Sequence, residues 1–101
     1  MLEENKGRLT IVEGKNDKRA LERLGYTNVR LLNKPLFRVV EEIDEGEVQI
    51  LTDLDEHGRR LYSYFFRECT RRGVRVNNSV RQLLHFSSLR QIEGLPRYLE
   101  G

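Results

Sequence analysis

Apolar residues fall along this chain in two ways, as short strand-length clusters and as residues recurring every three to four positions. The runs at Arg8–Val12, Val29–Leu32, Glu47–Thr52 and Val74–Val76 have the length and β-branched content of buried strands. The segments between them have helical spacing. Asn16–Leu24 turns Ala20, Leu21 and Leu24 inward and stops at Gly25. Pro35 suits a first helical turn, after which Leu36, Val39, Val40 and Ile43 keep the i, i+3, i+4, i+7 pattern up to Gly46. A longer helix from about His57 to Arg72 carries the stripe Leu61, Tyr62, Phe65, Phe66, Cys69 and closes at Gly73. Asn77–Ser79 can cap a last helix through Val80, Leu83, Leu84 and Phe86, and Ser88 and Gln91 are candidate caps for a further short turn before Gly94-Leu95-Pro96.

The order β-α-β-α-β-α-β followed by a helical tail predicts an α/β fold, a four-stranded parallel sheet flanked by helices and joined by right-handed crossovers. Strand order does not follow from the pattern. In the common 2-1-3-4 arrangement, strands one and three are neighbours at the topological switch point, and ligands bind just past their carboxyl ends.

With 101 residues the chain is expected to form one domain, with a core over about 8–76 and a helical tail over about 77–101. No apolar run reaches the roughly 20 residues of a spanning helix, and Met1–Arg8 is too charged for a signal peptide, so no membrane association and a cytoplasmic location are expected. The single cysteine, Cys69, excludes an internal disulfide and a thiolate metal cluster, and its place on a helical stripe marks it as core. Net charge is +2 but uneven: residues 1–55 hold 9 Lys/Arg against 12 Asp/Glu, and residues 56–101 hold 9 Arg against 4 Glu. That asymmetry fits a polyanionic partner; an Arg-rich surface of ion-pair networks fits it as well.

Two of the strands end in carboxylates. Ile11-Val12-Glu13-Gly14-Lys15-Asn16-Asp17 follows the first, and Ile50-Leu51-Thr52-Asp53-Leu54-Asp55-Glu56-His57-Gly58 the third. If the third strand continues through Asp53 and Asp55, both side chains leave one face, about 6–7 Å apart. With Glu13 opposite, these hard oxygens suit Mg²⁺ or Mn²⁺, which take few protein ligands, keep several waters and complete their shells with substrate phosphates. Zinc is disfavoured, because only His57 and His85 offer nitrogen.

The paired motifs E-G-K-N-D and T-D-L-D-E-H-G resemble the Toprim domain of topoisomerases, bacterial primases, OLD-family nucleases, recombination mediators and ribonuclease M5, over about Arg8 to Val76. The resemblance implies a Toprim-like Rossmannoid fold in which Glu13 is a general acid/base or metal ligand and Asp53 and Asp55 hold Mg²⁺; Gly58 also matches. By length and by the E-G-K-x-D form, small free-standing Toprim proteins and the ribonuclease M5 amino-terminal domain are nearest. The chain lacks a topoisomerase gate with its nucleophilic tyrosine, a primase core subdomain and the additional RNA-binding domain of ribonuclease M5. A protein partner supplying substrate specificity is therefore expected.

These features favour a metal-dependent nuclease, or another phosphodiester-transfer enzyme, acting on RNA or DNA. Its catalytic and metal-binding set is Glu13, Asp53 and Asp55, and Lys15, Arg59 and Arg60 are candidate phosphate contacts. The alternative is a non-catalytic nucleic-acid-binding or assembly module of recombination-mediator type. A phospho-acceptor regulator fits poorly, with no fifth strand to carry its lysine. Several residues have simpler roles open to them: Asp55 or Glu56 as a helix cap, Lys15 as a partner of Glu13 or Asp17, His57 as an exposed first-turn residue rather than a proton shuttle.

Overall fold

The structure, a computed structural model, describes residues 5–85, 92–94 and 96. Its strands are β1 (Thr10–Val12), β2 (Val29–Leu31), β3 (Glu47–Ile50) and β4 (Arg75–Asn77). The helices are α1 (Lys15–Arg23), α2 (Leu36–Glu41), α3 (Glu56–Arg71) and α4 (Ser79–His85), followed by a 3-10 turn at Ile92–Gly94. All three strand pairings are parallel, in the order β2-β1-β3-β4. β1 and β3 are thus adjacent, with Ile11 opposite Ile50.

Period-two alternation assigns the strand residues to two cores. Leu9, Ile11, Val48 and Ile50 face α2 and α3 and pack with Val39, Val40, Phe65 and the buried Cys69. Val12 and Leu51 face the other way and pack with Leu21 of α1, Val80 and Leu84 of α4, and Ile92. The described part of the tail therefore completes one face of the sheet, and its 3-10 turn lies against α1. Phe86, Ser88 and Gln91 lie outside the described residues. No helix among the described residues is long and apolar enough to cross a membrane.

Two boundaries shape the site. α2 stops at Glu41, and Ile43 is buried from the turn that follows. β3 ends at Ile50, so Leu51–Asp55 is a connecting segment and the two-residue alternation expected for Asp53 and Asp55 does not extend to them. Asp55 instead becomes the N-cap of α3, its Oδ1 accepting the Gly58 N–H at 2.7 Å.

Candidate metal and phosphate site

The carboxyl ends of β1 and β3 meet through one short hydrogen bond, in which the Asp53 N–H donates to Glu13 Oε2 at 2.7 Å. Glu13 follows β1 directly, and Asp53 lies three residues past the end of β3, so the contact crosses the switch point. Asp53 Oδ1 accepts the Ile92 N–H at 2.9 Å, which ties the carboxylate to the 3-10 turn. Thr52, fully buried, donates its hydroxyl to the Gly58 carbonyl at 2.7 Å and so joins the strand end to the first turn of α3.

An open cleft of about 560 Å³ lies beside this junction, lined by the carboxylates Glu13, Asp17, Asp53 and Glu93 and by the cations Lys15 and Arg19. Lys15 is thus brought to the acids. Arg59 and Arg60 are not: they line a separate hollow on the outer face of α3, where Arg60 pairs with Glu56 at 2.5 Å. His57 Nε2 stands 3.8 Å from Glu13 Oε1, with its side chain largely exposed. A second cleft beside the open edge of β2 holds Lys18, Arg30 and Lys34, but Glu45 neutralises Arg30 and Glu42 neutralises Lys34.

Burial first, and like charge after it, act on the carboxylates of the cleft. Burial, then the charges of Asp53, Glu13 and Glu93, push the Asp17 carboxyl up to about 6 against the Gly14 N–H that its Oδ2 accepts. Asp53 is also raised, by burial first and then by Glu13, Asp55 and Glu93, with the Ile92 N–H opposing. For Asp17 the sign follows from linkage. Its folded pKa of about 6 lies above the unfolded value of 3.8, so the native state binds more protons between them and stability falls as pH rises through that window. The penalty at neutral pH is about 1–2 kcal/mol after allowance for the open cleft. Asn keeps an acceptor for the Gly14 N–H and removes the charge. Asp17→Asn is therefore expected to gain about 1 kcal/mol at pH 8 and nothing at pH 4, read from urea midpoints at the two pH values. A loss of stability at pH 8 would mean that the carboxylate is needed there in its charged form.

Among the described residues no three His, Cys, Asp or Glu side chains are gathered into a ready-made metal cage. The donor set nevertheless suits Mg²⁺, which binds through one or two carboxylates and keeps its waters. Every donor is a hard oxygen, and Glu13 and Asp53, both lining the cleft, each use one oxygen to accept a backbone N–H. Asp55 is turned to its cap and joins through its charge on Asp53 rather than through contact with Glu13.

Sequence reasoning missed Glu93, Arg19 and the Ile92 N–H. Nothing in a short tail motif marks a turn that folds back over α1. It also missed Arg81, which lies outside the expected stripe of Val80, Leu83 and Leu84 and is buried beside Val80 and Leu84.

No family model matches the chain. UPF0292 protein MJ1624 from Methanocaldococcus jannaschii is 35% identical over 97 residues, covering 88% of this chain and 76% of that protein. Among solved structures, a protein from Aquifex aeolicus superposes with a TM-score of 0.82 at 32% identity, over 91% of this chain and 92% of that one.

Proposed function

We propose that this chain, which belongs to the UPF0292 family, is a Toprim-type, Mg²⁺-dependent phosphodiester-transfer protein, a nuclease or the catalytic subunit of one. The observation that carries the reading is the hydrogen bond from the Asp53 N–H to Glu13 Oε2, which joins the two acidic motifs across neighbouring strand ends beside a cleft that also holds Lys15. Glu13 and Asp53 are the residues to hold Mg²⁺ or Mn²⁺, with Asp55 adding negative potential. An ion held there would supply Lewis-acid polarisation of a phosphoryl oxygen and acidification of a water.

The chain's own groups divide the remaining work. Glu13 is anchored through Oε2, so Oε1, on the side of His57, is the atom to hold or pass a proton. Lys15 and Arg19, which line the same cleft as the acids, offer cations to phosphate oxygens. RNA or DNA is the substrate class, and a partner protein supplies sequence or structure specificity. The committed cap at Asp55 favours the second reading, a nucleic-acid-binding module without catalysis, to the extent that turnover needs a third ligand.

Mg²⁺ or Mn²⁺ is expected to raise the melting temperature by mass action on the folded state, and Asp53→Asn with Asp55→Asn is expected to abolish that rise. Both asparagines keep an acceptor for the Ile92 and Gly58 N–H groups, so the metal-free double variant should be no less stable than the parent. An intact metal response in the double variant removes the acid cluster as the site. Incubation with single- and double-stranded RNA and DNA plus either ion separates the two readings: metal-dependent cleavage supports the nuclease, and binding without cleavage supports the module.

A further inference from the structure

Arg81 is a charged residue in a position where the fold asks for an apolar one. It is 5% exposed, on α4 beside the core residues Val80 and Leu84. Its Nη1 donates to the Thr52 carbonyl at 2.6 Å and to Thr52 Oγ1 at 2.9 Å, and its Nη2 donates to the Asp53 carbonyl at 3.4 Å. The guanidinium carbon lies 4.2 Å from the centre of the Tyr62 ring, and the Tyr62 hydroxyl donates to Asn78 Oδ1 at the start of α4. Burial lowers its pKa against the opposing charges of Tyr62, Glu13 and Asp53, and among the described residues no carboxylate pairs with it directly.

Taking a guanidinium out of water is costly, and a methionine would fill a similar volume without that cost. What the arginine adds is a planar fork of donors. β3 ends at Ile50, so the carbonyls of Thr52 and Asp53 lie beyond the sheet ladder, and Arg81 takes both.

We propose that Arg81 is a positioning residue for the acid site: its fork fixes the Thr52–Asp53 backbone, and thereby the Asp53 carboxylate and the N–H that Glu13 holds. The consequence for metal binding rests on the function proposed above; the positioning of Asp53 does not.

Arg81→Met and Arg81→Lys test it. The control is Leu84→Ala, which loosens the same helix without touching the fork. The first readout is amide hydrogen exchange at Asp53 relative to Leu51, whose N–H bonds to the Ile11 carbonyl in the sheet; the ratio cancels global stability. It is expected to rise about tenfold or more in Arg81→Met, less in Arg81→Lys, and to stay constant in Leu84→Ala. The second is Mn²⁺ affinity by calorimetry well below the melting temperature. Loss of a nearby cation alone would tighten Mn²⁺ binding, so a weakening of about tenfold in Arg81→Met reports lost positioning. An unchanged exchange ratio in both Arg81 variants, or tighter Mn²⁺ binding, overturns the proposal. If Arg81→Met does not fold, Arg81→Lys is read by the same two criteria. Should the parent itself fail to bind Mn²⁺, the metal-site reading falls and the exchange ratio alone decides the role of Arg81.

Discussion

Gly58→Ala is expected to destabilise the protein by about 3 kcal/mol or more, and so to lower the melting temperature by more than about 10 °C. A Cβ at this position lies 2.0 Å from the Asp53 carbonyl oxygen, 2.6 Å from its carbon and 2.8 Å from its nitrogen. All three are backbone atoms, so no side chain can swing away to relieve the clash. The segment that must move is held at several points: the Gly58 N–H caps onto Asp55, its carbonyl accepts from Thr52, and the Asp53 N–H is bound to Glu13. Relief therefore comes only by pushing the Asp53 peptide away, which breaks the site together with the start of α3. Gly46→Ala is the matched comparison, because a Cβ there meets nothing within 4 Å, and it is expected to stay within about 0.5 kcal/mol of the parent. Thermal melts of the two variants check the contrast. A Gly58→Ala protein that melts with the parent would mean that this close approach does not exist in solution.

Gly58 also marks how far the sequence could be read. The glycine is visible in the letters, but what requires it, a backbone packed against the Asp53 backbone, is a tertiary contact that no local pattern encodes. The sheet was legible because its strands are short segments rich in β-branched residues, as in Thr10–Val12 and at Val48 and Ile50 of Glu47–Ile50, and because each of these two is followed by a helix with a clear inward stripe. That β1 and β3 are neighbours required the further step of assuming a common strand order, and the parallel pairing of Ile11 with Ile50 bears it out. Helix ends were harder to place. α2 has only six residues because the apolar spacing of Leu36, Val39, Val40 and Ile43 is also satisfied by a turn that buries Ile43 after the helix ends at Glu41.

The acid cluster was legible in part for the same reason. Glu13 and Asp53 are delivered by strand ends, and strand ends are what periodicity locates. Asp55 stands two residues further along the same connecting segment, at the start of α3, and there a strong local preference for an N-cap carboxylate takes over. Glu93, Arg19 and Arg81 belong to the cleft or its support through packing of α1, α4 and the 3-10 turn on one face of the sheet. Such packing is set by the second core as a whole. No motif of a few residues carries it, and Arg81 stands beside the stripe of Val80, Leu83 and Leu84 with nothing in the sequence to mark it as buried.

Glu13→Gln is expected to slow metal-dependent strand cleavage by about 10²-fold or more while leaving the fold and substrate affinity nearly unchanged. The structure makes this a clean substitution. Glutamine keeps a carbonyl oxygen to accept the Asp53 N–H now held at 2.7 Å, so the junction between the β1 and β3 ends survives. What disappears is the negative charge beside Asp53 and the ability of the second oxygen, 3.8 Å from His57 Nε2, to hold a proton or ligate an ion. An effect on turnover therefore cannot be laid to a collapsed strand end, whereas Glu13→Ala would mix the two by leaving the Asp53 N–H unpaired. Asp17→Asn is the control within the same motif: it removes a charge from the same cleft, but from a carboxylate committed to the Gly14 N–H, and its effect on cleavage should be several-fold at most. Melting temperature, nucleic-acid affinity and single-turnover rate measured on the two variants separate the roles. A Glu13→Gln protein that cleaves like the parent, or an Asp17→Asn protein that is the slower of the two, would move the proton-handling role from the end of β1 to the first turn of α1.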